Sequence, residues 1–258
     1  MPDLTRRRLK DLATLHRKRH RDRLGQCLVE GVRSVESAVA AGAPLVELLV
    51  THEAAEDARV AALIARAEVP VHTVAAADLD RIADTTTTQG IAAVARTAWS
   101  SIDEARGPVL ALDGVQDPGN VGAILRSAAW FGVGSVVVGP GTADPFGPKA
   151  VRAAMGGLWD LDLIASGDLD ADLRALKSRG LPVFGADLAG EAARDWSPPR
   201  EAVLVLGSEA HGLSDATRDL LDGRVRIGAQ RDAEGARGVE SLNVAVATGV
   251  LLHRWLGS

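Results

Sequence analysis

Residues 109–126 read Val109-Leu110-Ala111-Leu112-Asp113-Gly114-Val115-Gln116-Asp117-Pro118-Gly119-Asn120-Val121-Gly122-Ala123-Ile124-Leu125-Arg126. Four apolar residues run without interruption into Asp113, a Pro/Gly turn follows, and a helical pattern starts near Asn120. An unbroken apolar run suits a strand buried on both faces, as in a parallel sheet flanked by helices. The same kind of run recurs at 135–138, 182–185 and 203–206, with helical patterns at 121–131, 168–179 and 241–256 between and after them. The second half of the chain therefore reads as an α/β domain with a parallel sheet.

The first half alternates shorter strands and helices. A basic helix is expected over about 5–20, a strand at 27–30, and a helix at 32–41 with Gly42 in the position of a C-terminal glycine. A strand follows at 45–50. A helix over 53–67 is suggested by Ala54, Ala58, Ala61, Ala62 and Ala65 at near-helical spacing. A strand at 71–74, a helix at 76–83 and a strand at 90–96 complete this half. Polar and turn residues over 99–107 suggest a linker. The expected organisation is a smaller N-terminal α/β domain over 1–98, the linker, and a larger α/β domain over 108–258.

The 258 residues are 47% hydrophobic and 24% charged, as in ordinary globular chains. No apolar run approaches the roughly 18 residues that cross a bilayer, so no membrane partner is expected. The single cysteine, Cys27, excludes an internal disulfide framework and reads as a small buried hydrophobe. With six scattered His, no metal cluster is expected, and the default compartment is cytoplasmic. The net charge of −5 conceals a basic arm: residues 1–23 hold nine Lys/Arg against three Asp. Such an arm on an acidic body suggests a local polyanion partner, although Leu4, Leu9, Leu12 and Leu15 also fit an amphipathic helix.

Three stretches of the second half lie at strand ends, where open α/β sheets gather ligands. In the first, Asn120 is placed to cap a helix that carries Arg126. The second is Gly207-Ser208-Glu209-Ala210-His211-Gly212-Leu213-Ser214, directly after the run ending at Leu206, with Ser214 placed to cap the next helix. The third is Gly238-Val239-Glu240-Ser241-Leu242-Asn243-Val244, where Ser241 reads as the cap of the last helix. Taken singly, each is equally a capped turn with surface polar groups. None is a G-x-G-x-x-G dinucleotide loop, a phosphate-binding P-loop or a G-x-S-x-G elbow.

Taken in order, the three stretches resemble the SpoU/TrmH branch of the SPOUT RNA methyltransferases, which carry N-x-x-G/A-x-x-R, G-x-E-x-x-G-L-S and S-L-N-V. Here these are Asn120, Ala123 and Arg126; Gly207, Glu209 and Gly212-Leu213-Ser214; and Ser241-Leu242-Asn243-Val244. The first half is similar to the family's ribosomal-protein-like substrate-binding domain, through 28–33 and 89–94. The resemblance implies a trefoil-knotted C-terminal domain, a homodimer formed through that domain, and S-adenosylmethionine as cofactor. It implies that Leu206, Gly207, Ile227, Ser241 and Leu242 line the cofactor. Asn120, Arg126, Glu209, Ser241 and Asn243 would form the catalytic neighbourhood, with Glu209 available to orient Arg126 or to take part in proton transfer. It implies 2′-O-ribose methylation of RNA, ribosomal RNA being favoured over transfer RNA because a second domain is present. A non-catalytic RNA-binding protein on the same fold and a generic nucleotide-binding α/β enzyme are the alternatives. The chain departs from the family where I-P-M is usual: it reads Arg226-Ile227-Gly228-Ala229, followed by a longer polar loop over 230–237.

Overall fold

A computed structural model describes residues 4–85, 88–228 and 241–257. The chain forms two compact units. The first comprises Met1–Ala98 and Asp144–Asp160, the second Trp99–Ala143 and Leu161–Ser258.

The first unit opens with two short helices, α1 (Arg6–Leu12) and α2 (Lys18–Leu24), where one continuous helix was expected. They are followed by β1 (Gln26–Glu30), α3 (Val32–Ala40), β2 (Leu45–Val50), α4 (His52–Ala55), α5 (Ala58–Arg66), β3 (Val71–Thr73), α6 (Ala76–Ile82) and β4 (Ile91–Arg96). The sheet order is β1-β4-β2-β3; β4 pairs antiparallel with both neighbours, and β2 pairs parallel with β3. Gly42 does end α3, at φ 67°, with the Ala43 N–H returning to the Ala38 carbonyl.

The helix expected over 53–67 is broken, because Asp57 caps a new helix by accepting from the Arg59 and Val60 N–H groups. Its alanine stripe does not face the core. Val60 and Leu63 are the buried residues, whereas Ala58, Ala61, Ala62 and Ala65 are exposed. Alanine suits a helix but gains little from burial, so the larger side chains take the inner face.

Residues 144–160, expected within the second domain, belong to the first unit. This excursion carries α8 (Pro148–Ala154), which packs on β1. Arg21, 5% exposed, donates from Nη1 to the Leu15 and His16 carbonyls at 2.7 and 2.9 Å and from Nε to Asp144 Oδ2 at 3.1 Å. Removing either charge would strand the other out of water. Several of the arm's cations are likewise engaged: Arg8 pairs with Glu47, and Lys18 with Asp22. Leu12 and Leu15 are fully buried in a cluster with Leu28, Leu49 and Val94. The arm is thus part of this unit's core, with Arg6, Arg7, Lys10, Arg17 and Arg19 left to face solvent.

The second unit begins in the stretch expected as a linker. Ser101 and Glu104 form a capping box on a short 3-10 turn, Ser100 bridges to Ile164, and Ala105 is buried. Then come β5 (Val109–Asp113), α7 (Pro118–Trp130), β6 (Ser135–Val138), β7 (Asp162–Ala165), α9 (Leu169–Ser178), β8 (Val183–Ala192), β9 (Val203–Gly207), α10 (Asp215–Leu220), β10 (Gly223–Arg226) and α11 (Val244–Leu256). The six-stranded sheet runs β10-β8-β9-β5-β6-β7, and every pair is parallel. Both faces of the central strands are covered: Val109, Leu110, Ala111 and Leu112 have no exposed surface. One face packs on Leu169, Leu173 and Leu176 of α9. Among the described residues, no helix is long and apolar enough to cross a membrane.

Two outcomes follow for the first unit. Leu12→Ala or Leu15→Ala should cost about 2–5 kcal/mol in chemical denaturation, as for buried leucines elsewhere. A cost below a few tenths would mean that the arm is only a tether. Cys27 is buried, and burial followed by the Asp144 carboxylate pushes its thiol from 9.0 up to about 12, against a smaller lowering by Arg21. The native thiol should therefore resist iodoacetamide at pH 8–9 and react once unfolded. Because the folded value is the higher one, this contribution to stability is present below pH 9.0 and is lost as the pH rises toward about 12.

Candidate active site

Parallel pairing brings the ends of neighbouring strands together. Asp113 at the end of β5 lies opposite Gly207 at the end of β9. The β8 ladder pairs with β9 only as far as Val205, so Leu206 and Gly207 have one edge outside it. Thr142, after β6, donates its hydroxyl to the Leu112 carbonyl at 3.1 Å and accepts the Gly114 N–H at 3.2 Å. Asp113 Oδ2 accepts the Ser214 N–H at 2.7 Å, tying the start of α10 to the end of β5.

The loop after β9 closes tightly. Ser208 and Gly212 exchange two backbone hydrogen bonds, at 3.0 and 2.9 Å, and Ser208 Oγ accepts the His211 N–H at 3.1 Å. Gly212 sits at φ 68°. A Cβ on Gly207 would overlap the carbonyl of Gly212. A glycine at this strand end lets a flat ligand or another backbone lie against the main chain, and here the Gly212 backbone does so.

Two expected caps are displaced. The cap of α7 is Asp117, whose side chain accepts the Asn120 N–H at 2.9 Å. The cap of α11 is Asn243, whose Oδ1 accepts the Ala245 and Val246 N–H groups at 3.0 and 3.3 Å. Asn120 and Ser241 are thereby released from the capping roles expected of them. Ser214 caps α10 as expected.

Released from capping, Asn120 joins the three stretches. Its Nδ2 donates to Glu209 Oε1 at 2.6 Å, and its Oδ1 accepts from Asn243 Nδ2 at 3.0 Å. One continuous chain, Asn243–Asn120–Glu209, thus links residues 89 and 123 positions apart in the sequence. Because Asn243 is also the cap, its carbonyl end is fixed by α11 and its amide end is aimed at Asn120. Glu209 and Asn243 are exposed, so the chain faces outward and can meet a ligand.

Arg126 is exposed on α7, whose other side is anchored by Val121, Ile124, Leu125 and Ala128. It makes no hydrogen bond or ion pair with the described residues, and the hydrogen-bond partner of Glu209 is Asn120. The expected orientation of Arg126 by Glu209 is therefore not what the structure has. Ser241 is exposed at the approach to α11. Of the suggested cofactor residues, Leu206 is 1% exposed and its side chain belongs to the core, leaving its main chain for a ligand. Ile227 is half-buried, and Leu242, next to Asn243 in the chain, is 47% exposed. The polar loop at 230–237 lies outside the described residues. The sequence reading missed Asp113, Asp117 and Thr142. Thr142 had a visible signal, since Gly139-Pro140-Gly141-Thr142 follows an apolar run as the other site loops do.

With this geometry in hand, comparison with known proteins is decisive. The profile of the SpoU rRNA Methylase family matches residues 107–253, and that of the MRM3-like substrate binding domain matches residues 6–93. The chain belongs to the SpoU rRNA methylase family. Among its relatives, the 23S rRNA (guanosine(2553)-2'-O)-methyltransferase RlmP of Bacillus subtilis is 31% identical, over 97% of this chain and 96% of that protein. The 23S rRNA (guanosine-2'-O-)-methyltransferase RlmB of Xanthomonas campestris is 34% identical over 87% and 93%. The SpoU methyltransferase AviRb of Streptomyces viridochromogenes, solved with AdoMet, superposes with a TM-score of 0.83 at 26% identity, covering 97% of each chain. The chain is thus a SpoU methylase with an N-terminal α/β domain and a parallel-sheet α/β domain of the same fold as AviRb.

The Gly207 contact makes a sharp prediction. Gly207→Ala should lower the melting temperature and speed amide exchange at Ser208 and Gly212 before any ligand is added. Normal stability with normal exchange would show that the loop tolerates the Cβ.

Proposed function

We propose that this SpoU methylase transfers the methyl group of S-adenosylmethionine to a ribose 2′-oxygen of ribosomal RNA. The observation that carries the reading is the Asn243–Asn120–Glu209 chain, which assembles one outward-facing site from three strand and helix ends. The ribosomal target is supported by the two full-length relatives named above, both 23S rRNA enzymes.

The residues present fit the cofactor. The exposed Leu242 side chain, the half-buried Ile227 and the main-chain edge of Leu206 left unpaired by β8 suit a flat heterocycle that takes apolar contacts and backbone hydrogen bonds. Ser241 adds a hydroxyl at the same approach. When bound, the cofactor supplies a methyl group activated on a sulfonium. The protein's task is to align a weak nucleophile and stabilise the charge that develops on its oxygen. Glu209, with Oε1 held by the Asn120 amide, keeps Oε2 available to accept the hydrogen of the ribose hydroxyl. Asn120 and Asn243 hold that carboxylate in one orientation. Arg126, whose planar guanidinium offers only N–H donors, binds phosphate and stabilises the forming alkoxide. We infer further that the second unit carries the family's trefoil knot, and that the enzyme is cytoplasmic.

The unit also presents an apolar face that supports a homodimer. Helices α7 and α11 pack together. Trp130 on α7 is 84% exposed, and Leu242, Val246 and Val250 recur every four residues on the α11 side, all exposed. Two further apolar residues of α11, Leu251 and Trp255, do not belong to this face. Leu251 is core, and Trp255 donates to the Pro199 carbonyl at 2.9 Å beside Trp196. Exposed apolar surface of this kind marks an interface.

Two measurements test these readings. Arg126→Ala should fold, bind the cofactor and lose about 10²-fold or more in single-turnover methyl transfer, the scale of one lost charge-stabilising group. Arg126→Lys should restore little, since an ammonium lacks the planar fork. An alanine variant within a few-fold of the parent would remove Arg126 from the chemistry. Light scattering should give a dimer at micromolar concentration, and Val246→Glu should give monomers; a monomeric parent protein would overturn the interface.

A further inference from the structure

Away from this site, the first unit contains a cavity of about 250 Å³. It lies at the start of α3, between that helix, the end of β1, the approach to β4 and the end of α8. This is below the ~300–1,000 Å³ of drug-sized ligand sites, a size that suits one flat ring system.

The wall is built rather than incidental. Glu30, 5% exposed, has both carboxylate oxygens occupied: Oε1 accepts the Asp84 N–H at 2.9 Å, and Oε2 accepts the Thr85 N–H and Arg152 Nη1, both at 3.2 Å. Arg152 also donates to Asp84 at 3.0 Å. The Glu30 oxygens are thus occupied, and two carboxylates against one guanidinium leave this wall negative, so the interior does not call for an anion. Polar groups remain for a guest, Ser34 and Gln89 among them. Ser34 is 7% exposed, lines the cavity and has no hydrogen-bond partner among the described residues. Gln89 spends its Oε1 on the Val32 N–H at 2.9 Å, which leaves its amide N–H groups.

Ile91 and Met155 supply apolar surface. Met155 is held at φ 48°, the one non-glycine at positive φ among the described residues. Backbone in that region is costly and clusters where ligands are gripped. At the rim, Arg33 is exposed and makes no hydrogen bond or ion pair with the described residues. It lies in the first turn of α3, a nine-residue helix whose cap, Gly31, offers no side chain. Gln89 takes the Val32 N–H, and the next N–H groups of this first turn, beside the exposed Arg33 guanidinium, favour an anion outside the cavity. The guest is therefore neutral, flat and both donor and acceptor, with a negative group attached.

We propose that this cavity receives one unpaired nucleotide of the RNA substrate. Its base lies against the Ile91 and Met155 surface within reach of Ser34 and Gln89, and its phosphate meets Arg33. Recognition of an unstacked base is the usual way in which proteins read RNA sequence. The proposal rests on the reading that the chain acts on RNA, and gives the first unit a role in choosing the site.

The test uses the full-length protein and an unmodified 23S rRNA transcript. Ser34→Leu fills the cavity and should weaken RNA binding in filter assays by about ten-fold, the scale of a lost hydrogen-bonded contact. The loss should appear in KM for RNA more than in kcat, with S-adenosylmethionine affinity intact by calorimetry. Ultraviolet cross-linking of the unsubstituted protein should leave nucleotide adducts on peptides containing Arg33 and Ser34 or Gln89 and Ile91. A folded Ser34→Leu with parental RNA affinity, or adducts confined to other peptides, would overturn the proposal. If Ser34→Leu does not fold, Gln89→Leu and the cross-links decide. RNA binding and adducts at these peptides without any methyl transfer would uphold the pocket while removing the proposed reaction.

Discussion

The parallel register of β5 against β9 is the constraint on which the second unit depends. It sets Asp113 beside Gly207, so the loops after both strands leave from one edge. A shift of one residue would turn each side chain to the opposite face and carry Glu209 away from Asn120. Complete burial of Val109–Leu112 and Val203–Val205 makes such a shift expensive. The apolar core thus fixes the exposed polar chain, although the two share no atoms.

Gly207 and Asn243 show how local economy serves that arrangement. Gly207 has no side chain because the returning Gly212 backbone needs its space. Asn243 satisfies the free N–H groups of α11 with one end of its amide and reaches Asn120 with the other. A Ser or Asp cap would satisfy the helix equally well, but neither carries an amide donor for the second contact.

The parallel sheet was legible in the sequence because strands buried on both faces must be written as unbroken apolar runs. The three site stretches were legible only in combination, because each taken singly is equally a capped turn and the resemblance lies in their order. What escaped had weaker writing. The strands β7 and β10 are four residues each, and one carries two arginines, Arg224 and Arg226, so neither gives a long apolar run. The caps of α7 and α11 were misassigned because several capping-type residues stand close together, and only the backbone path selects Asp117 and Asn243. The alanine stripe of α5 misled because alanine reports helix formation better than burial. The basic arm left two readings open, a polyanion-binding arm and an amphipathic helix, and no pattern in residues 1–23 announces that Arg21 finds Asp144 more than a hundred positions later.

That last pairing bears on how the protein could be cut and recombined. The first unit is completed by a seventeen-residue loan from the middle of the other half of the chain. Scission after Ala98 would yield a front fragment without α8 and without the partner of its buried arginine. The back fragment would carry that segment away from its companions. Inheritance of the two halves as independent cassettes, joined at a single splice point, is thereby discouraged: a transplanted front half would meet a foreign Asp144–Asp160. Change in the substrate-binding half is coupled to change within the coding stretch of the catalytic half.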